Sequence, residues 1–248
     1  MKRIPASLTA LFALLSAASA FAADDDAVVN DPFEGFNRSI FAFNEGLDRW
    51  IIEPVATGWD FVMPDPVERA ISRFFDNAGF PVVFVNDVLQ GKPLAALQDV
   101  GRFALNTTAG IGGLFNPASE VGLPNHNEDF GQTLGVWGVP PGPYLVLPLL
   151  GPSNPRDTGG LVVDSATLVY PFFLPFYVNA ASTTVGLVNR RSRLLETIRE
   201  ERAAAFDFYV AVRNAFAQRR EDQIADRQPK AGESDDDLYN LDYSEDVR

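Results

Sequence analysis

The sequence predicts a mainly α protein: short amphipathic helices broken by prolines, joined through a long irregular segment rich in Gly and Pro. Three observations carry this. Apolar residues recur at helical spacing, first in Phe33, Phe36, Ile40, Phe43, Leu47 and Trp50, at steps of 3, 4, 3, 4 and 3. Strand-length segments of alternating polarity, the mark of a membrane β-barrel, are missing. Between Gly122 and Gly160 stand 8 Gly and 7 Pro in 39 residues, against 19 and 18 in the whole chain.

The N-terminus reads as a signal peptide over 1–22. Lys2 and Arg3 supply positive charge, Leu8 to Leu15 an apolar stretch, and Ala20-Phe21-Ala22 a small-residue cleavage site. A cut after Ala20 fits almost as well. Residues 23–30 form an acidic leader, 31–220 a single helical domain, and 221–248 an acidic tail without periodicity that reads as disordered. Removing Lys2 and Arg3 takes the formal charge from −13 to −15, so nucleic acid is not an expected partner.

Within the domain, Asp31 reads as an N-cap, Pro32 as the first helical residue, and Pro54 as the end of that helix or a bend in it. Asp65-Pro66 opens a second helix with Val67, Ala70, Ile71 and Phe74 on one face. Pro81 to Leu89 is open between strand and short helix, with Pro81 and Gly91 favouring helix. Pro93 to Thr107 reads as a helix with Leu94, Leu97, Gly101, Ala104 and Leu105 facing inward. The irregular segment, Asn127 to Asp157, carries too many large apolar groups for a solvated loop, so it is expected to hold a defined shape against something apolar.

Gly160 to Ala181 is long enough to span a bilayer, yet Asp164, Pro171 and Pro175 interrupt it. It reads as a short helix, a Pro-broken turn and the start of another helix. One long helix is expected from Thr184 to Arg220, with Leu187, Leu194, Ile198, Ala205, Tyr209, Val212 and Phe216 as its stripe. From Arg190 to Arg220 there are 8 Arg against 4 acids. That face is either solvated or a dock for anionic groups.

Enzymatic signals are poor. The one His, His126, reads as a polar loop residue rather than a general base, because nothing marks a nucleophile beside it. With no Cys, thiol catalysis and thiolate metal sites are excluded, and no residues stand at metal-ligand spacing. No metal and no cofactor are expected. The aromatic stripe of the first helix is by default a core stripe. Its functional alternative is a helix lying in a membrane interface.

Several words of the sequence resemble the MlaA (VacJ) family. They are Asp31-Pro32-Phe33-Glu34-Gly35-Phe36-Asn37-Arg38, Leu89-Gln90-Gly91-Lys92, Arg102 to Gly110, Glu128-Asp129-Phe130-Gly131-Gln132-Thr133-Leu134, and Gly142-Pro143-Tyr144-Leu145-Val146-Leu147-Pro148. The resemblance covers roughly Asp31 to Phe216. It implies a helical ring embedded in the outer membrane at its periplasmic face, without a spanning helix, and with an amphipathic channel. Such a ring removes misplaced phospholipids from the outer leaflet without catalysing a reaction. Implied partners are phospholipids, a periplasmic lipid carrier and a trimeric porin. The family commonly carries a lipoprotein Cys, and this chain has none. The alternative is a soluble periplasmic lipid-binding domain or hydrolase.

A phospholipid path needs polar and apolar surface side by side. The candidates for it are Asn37, Phe41, Phe43, Asn44, Asp48, Tyr144, Leu145 and Leu147. Gly131, Gly142, Pro143 and Pro148 are expected to shape the loop.

Overall fold

The computed structural model describes residues 29–168 and 173–227; the signal peptide, most of the acidic leader and the tail beyond 227 lie outside them. Ten α-helices and one two-stranded hairpin are present among the described residues. In chain order these are α1 (Glu34–Leu47), α2 (Glu53–Val62), α3 (Asp65–Leu89), α4 (Pro93–Thr108), α5 (Pro117–Glu120), α6 (Phe130–Val136), β1 (Leu145–Leu147), β2 (Gly151–Ser153), α7 (Pro155–Thr167), α8 (Phe176–Arg193), α9 (Leu195–Ala204) and α10 (Phe208–Ile224). No helix among them is long and apolar enough to cross a membrane.

Proline sets many of the starts. Pro66, Pro93, Pro117 and Pro155 each stand in the first turn of a helix, where the missing N–H costs nothing. Pro54 likewise stands in the first turn of α2. A π-helical turn, Asp48–Ile52, joins α1 to α2, and the Glu53 N–H donates back five residues to the Asp48 carbonyl. Pro81 corrects the expectation of separate elements: it lies inside α3, one 25-residue helix that runs through it.

Three other boundaries differ from the sequence reading. Asp31 is not an N-cap; α1 starts at Glu34, and the Asp31 carboxylate accepts from the Asn37 amide and the Tyr209 hydroxyl. The irregular segment contains a helix, α6, capped by Asp129, which accepts from the Gln132 N–H at 2.8 Å. The single C-terminal helix is three. Leu194 closes α8, Ala205 is extended, and Asp207 caps α10 by accepting from the Val210 N–H. The last helix also runs to Ile224, past the expected tail boundary.

Helices α3 and α4 form an antiparallel pair, α2 packs on α8, and α6 packs on α7. The α6–α7 contact needs glycine on both sides. A Cβ on Gly160 would collide with the backbone N of Gly131, and one on Gly131 would lie 2.6 Å from Asp157 Oδ1.

The placement of polarity is inverted. Among the described residues 17 polar or charged side chains are buried, against 8 apolar ones of which three are alanines, while 34 large apolar side chains are exposed. A water-soluble domain sorts the other way. The apolar faces predicted for α3 and α4 therefore turn outward. Leu94 and Leu97 are each 67% exposed, and Asp99, Arg102 and Asn106 of the same helix are buried. Of the first helical stripe, Phe33, Phe36, Phe43 and Trp50 likewise face out, Trp50 being 83% exposed, while Ile40 turns to the core. The small apolar core is Tyr144, Val146 and Tyr209, with Val29, Ile40, Phe41, Val210 and Phe216 against it.

Candidate functional site

The inner face of α1 carries Asn37, Phe41 and Asn44, and Asp48 continues it at the start of the π-helical turn, at steps of 4, 3 and 4, opposite the exposed aromatic residues. Asn37 is fully buried. Its Nδ2 donates to the Tyr144 carbonyl at 2.9 Å, and its Oδ1 accepts from the Val146 N–H at 3.0 Å. Asn44 repeats this two turns on: Nδ2 donates to the Leu147 carbonyl and Oδ1 accepts from the Leu149 N–H, both at 2.9 Å. Seven residues of helix rise about 10.5 Å, and three residues of extended chain span about 10 Å. Two side-chain amides thus replace a strand partner along the free edge of β1. Phe41 packs edge-on to Tyr209, with ring centroids 5.4 Å apart.

Asp48 anchors a charged network. Arg191 donates to it through Nε and Nη2 at 2.8 and 2.9 Å, and Arg202 through Nη2 at 3.0 Å. Arg202 also reaches Glu45 and Glu53, and Arg199 donates to Glu53. Burial opposes ionisation of Asp48, but the two guanidiniums outweigh it and hold its carboxyl below the usual range. The network ties α1, the π-helical turn and α2 to α8 and α9. At least five of the eight Arg of the basic stretch, Arg191, Arg199, Arg202, Arg213 and Arg220, therefore make internal ion pairs.

A second network holds the irregular segment. Arg220 forks between Asp129, at 2.6 and 2.9 Å, and Asp157, at 2.9 Å for each pair. Asp164 accepts from the Phe130 N–H and from the Asn86 amide. The carboxylate that interrupts the Gly160–Ala181 run is thus a polar contact of the interior. A third set joins α3 to α8: Asn189 donates to the Glu68 carbonyl and to Ser72, accepts from the Trp59 indole, and Ser192 donates to Glu68 at 2.6 Å.

A fourth cluster forms where α3 and α4 meet the loop before α6. Asp87 of α3, Asp99 of α4 and His126 each bring one ligand-type atom within 4.8 Å of the others. His126 Nδ1 lies 3.0 Å from Asp99 Oδ1. Burial, then the facing Asp99 carboxyl and the charge of Glu128, push the Asp87 carboxyl up to about 8. Glu128 itself accepts from Lys92 and Gln90.

Buried polar networks inside and large apolar groups outside are the reverse of a soluble helical domain, and the sequence belongs with that arrangement. The family model for MlaA lipoproteins matches residues 29–223.

The chain belongs to the MlaA family.

The intermembrane phospholipid transport system lipoprotein MlaA of Escherichia coli (strain K12) is 36% identical over 226 residues, covering 86% of this chain and 88% of that protein. Its counterpart in Haemophilus influenzae is 35% identical over 203 residues, covering 79% and 80%. An uncharacterized protein of Rickettsia felis is 38% identical over 197 residues, covering 79% and 78%. A solved structure described as the structural basis for maintenance of bacterial outer membrane lipid asymmetry matches with a TM-score of 0.70 at 36% identity, covering 78% of this chain and 98% of that one.

Within this MlaA-family fold the residues expected on a lipid path are only partly brought together. Asn37, Phe41, Asn44, Tyr144, Leu145 and Leu147 meet at the α1–β1 contact, with Asp48 just beyond it, in the π-helical turn. Asn37 and Tyr144 are buried there, whereas Leu145 and Leu147 are half-buried. Phe43 points away, on the exposed stripe. Of the loop residues, Gly131 sits in the α6–α7 contact. Gly142 takes the left-handed φ of +77° that a side chain resists, and packs on Pro155. Pro143 is half-buried and Pro148 exposed.

The polar interior of α3, α4 and α8 was not among the expected site residues. Its signal was present as polar positions at helical spacing, such as Asp99, Arg102 and Asn106.

Proposed function

We propose that this chain takes misplaced phospholipids from the outer leaflet of the outer membrane and passes them, without chemistry, towards a periplasmic lipid carrier, so maintaining lipid asymmetry. The observation that carries this is the inversion of polarity. An exterior set with Trp50, Phe61, Leu94, Leu97, Phe173 and Phe176 suits acyl chains, and an interior of Asn, Arg and carboxylate groups suits a headgroup and water. The E. coli and H. influenzae relatives are intermembrane phospholipid transport proteins, which agrees with it.

In this reading the helices lie as a ring in the membrane and an amphipathic path runs through it, edged by Leu145 and Leu147, with the α1–β1 amides fixing its wall and Phe43 on the outer, lipid-facing side. The chain has no Cys, so the apolar exterior holds it in the membrane, aided by contact with a trimeric porin. Each large apolar side chain moved fully out of water contributes about 1.5–3 kcal/mol, whereas one acyl chain anchors only marginally.

The test is complementation of a strain lacking its own copy, read as phospholipid exposed in the outer leaflet, with mass spectrometry of lipids bound to detergent-extracted protein. Restored asymmetry with copurified phospholipid is expected. Detergent-free, lipid-free protein that leaves outer-leaflet phospholipid high would overturn the proposal. Hydrolysis of phospholipid by the purified protein, abolished in His126→Ala, would favour a hydrolase instead.

A further inference from the structure

We propose that Asp87, Asp99 and His126 form a binding site for one divalent transition-metal ion, best matched by Zn2+, which staples the loop before α6 to the α3–α4 pair. The proposal is independent of the lipid path. Neither oxygen of Asp87 has a hydrogen-bond donor, and nor does Asp99 Oδ2. Asp87 is fully buried and Asp99 nearly so. Three acceptor-only atoms in one buried place are costly unless a proton or a cation lies among them. A proton shared between the two acids satisfies two of the three and leaves one without a donor. A cation answers both carboxylates at once, and the neutral imidazole of His126 supplies the third ligand.

The donor set decides the class of ion. Ca2+ and Mg2+ are held by oxygen, whereas two carboxylates and an imidazole suit Zn2+ or its neighbours. Bonds of about 2.0–2.1 Å put ligand atoms within about 4.2 Å of one another. The observed spread of up to 4.8 Å closes by small side-chain rotations. Three protein ligands leave a fourth position for water. Entry is open on one side, because Asp99 and His126 line a cavity of about 330 Å³, whose other charged walls are Asp76, Glu120, Arg73 and Arg102. Lys92 does not compete for the site, since it is paired with Glu128 and Asp226. Sequence spacing hides the set: 12 and 27 residues separate the three, and the α3–α4 turn brings the first two together.

The test uses the mature chain purified in detergent, stripped with chelator, then titrated with ZnCl2, MnCl2 and CaCl2 by calorimetry, with retained metal counted after gel filtration. One Zn2+ per chain and a higher Tm than the stripped protein are expected, with Ca2+ ineffective. His126→Ala should weaken Zn2+ binding by more than the roughly 100-fold seen when an outer-shell partner is lost. Asp87→Asn removes a buried charge while keeping the shape, so it should keep or raise the metal-free Tm and abolish the Zn2+ response. Wild-type protein that retains no ion and shows the same Tm with chelator or Zn2+ would overturn the proposal. So would undiminished binding in both variants.

Discussion

Asn37 and Asn44 stand for how single residues act in this fold. Each side-chain amide satisfies one carbonyl and one N–H of the irregular segment. Truncation leaves both backbone groups without a partner. Asn37→Ala should therefore destabilise the protein by roughly 2–4 kcal/mol, with Asn44→Ala costing less because that site is closer to water. Thermal unfolding in detergent measures the difference. Asn37 was legible in the sequence as a polar residue beside an aromatic stripe. Its role was not, because the acceptor lies 107 residues away. For the same reason the sequence did not reveal the Asp87, Asp99 and His126 cluster.

Asp129 is an acid of the irregular segment whose ionised form supports the fold. Burial raises its pKa, but Arg220 and the Gln132 N–H prevail and hold it below the usual value. A carboxyl depressed on folding stabilises the native state above its unfolded pKa of about 3.9 and loses that contribution as pH falls through the folded value. The Tm difference between wild type and Asp129→Asn should thus hold through neutral pH and shrink below about pH 4. In Asp129→Asn the fall in Tm with acid should be shallower and start from a lower plateau. A pH series of melting curves checks both.

At the scale of elements, the α6–α7 contact is set by Gly131 and Gly160. Gly160→Ala forces a Cβ onto backbone that cannot yield like a flexible side chain. A loss of at least the roughly 1–3 kcal/mol typical of overpacking is expected. Gly159→Ala, one residue away with open space beside it, should be tolerated. Comparing the two variants by denaturant midpoint isolates the packing effect from helix propensity.

Several helices were readable, because Pro66 and Pro93 mark first turns and the apolar stripes have the right period; the start at Pro155 was hidden inside the irregular segment. Their orientation was not. Periodicity shows that a helix has two faces and says nothing about which solvent each meets. Leu94 and Leu97 read as core residues, yet they lie outside while Asp99 and Arg102 lie within. The breaks at Leu194 and Ala205 escaped notice because the apolar spacing continues across them.

For the whole molecule, the inverted sorting of polarity makes one account of membrane residence and lipid handling. Its central claim is that the exposed apolar set faces acyl chains and not water. The three tryptophans give a direct probe: Trp50 is the most exposed, Trp137 is also exposed, and Trp59 is held against Asn189. Protein retaining Trp50 alone, through Trp59→Phe and Trp137→Phe, is reconstituted in vesicles whose lipids carry bromine on the acyl chains. Strong quenching of Trp50 fluorescence by the brominated chains, with little by dissolved iodide, is the result the account predicts. Quenching by iodide with none from the brominated lipid would contradict it.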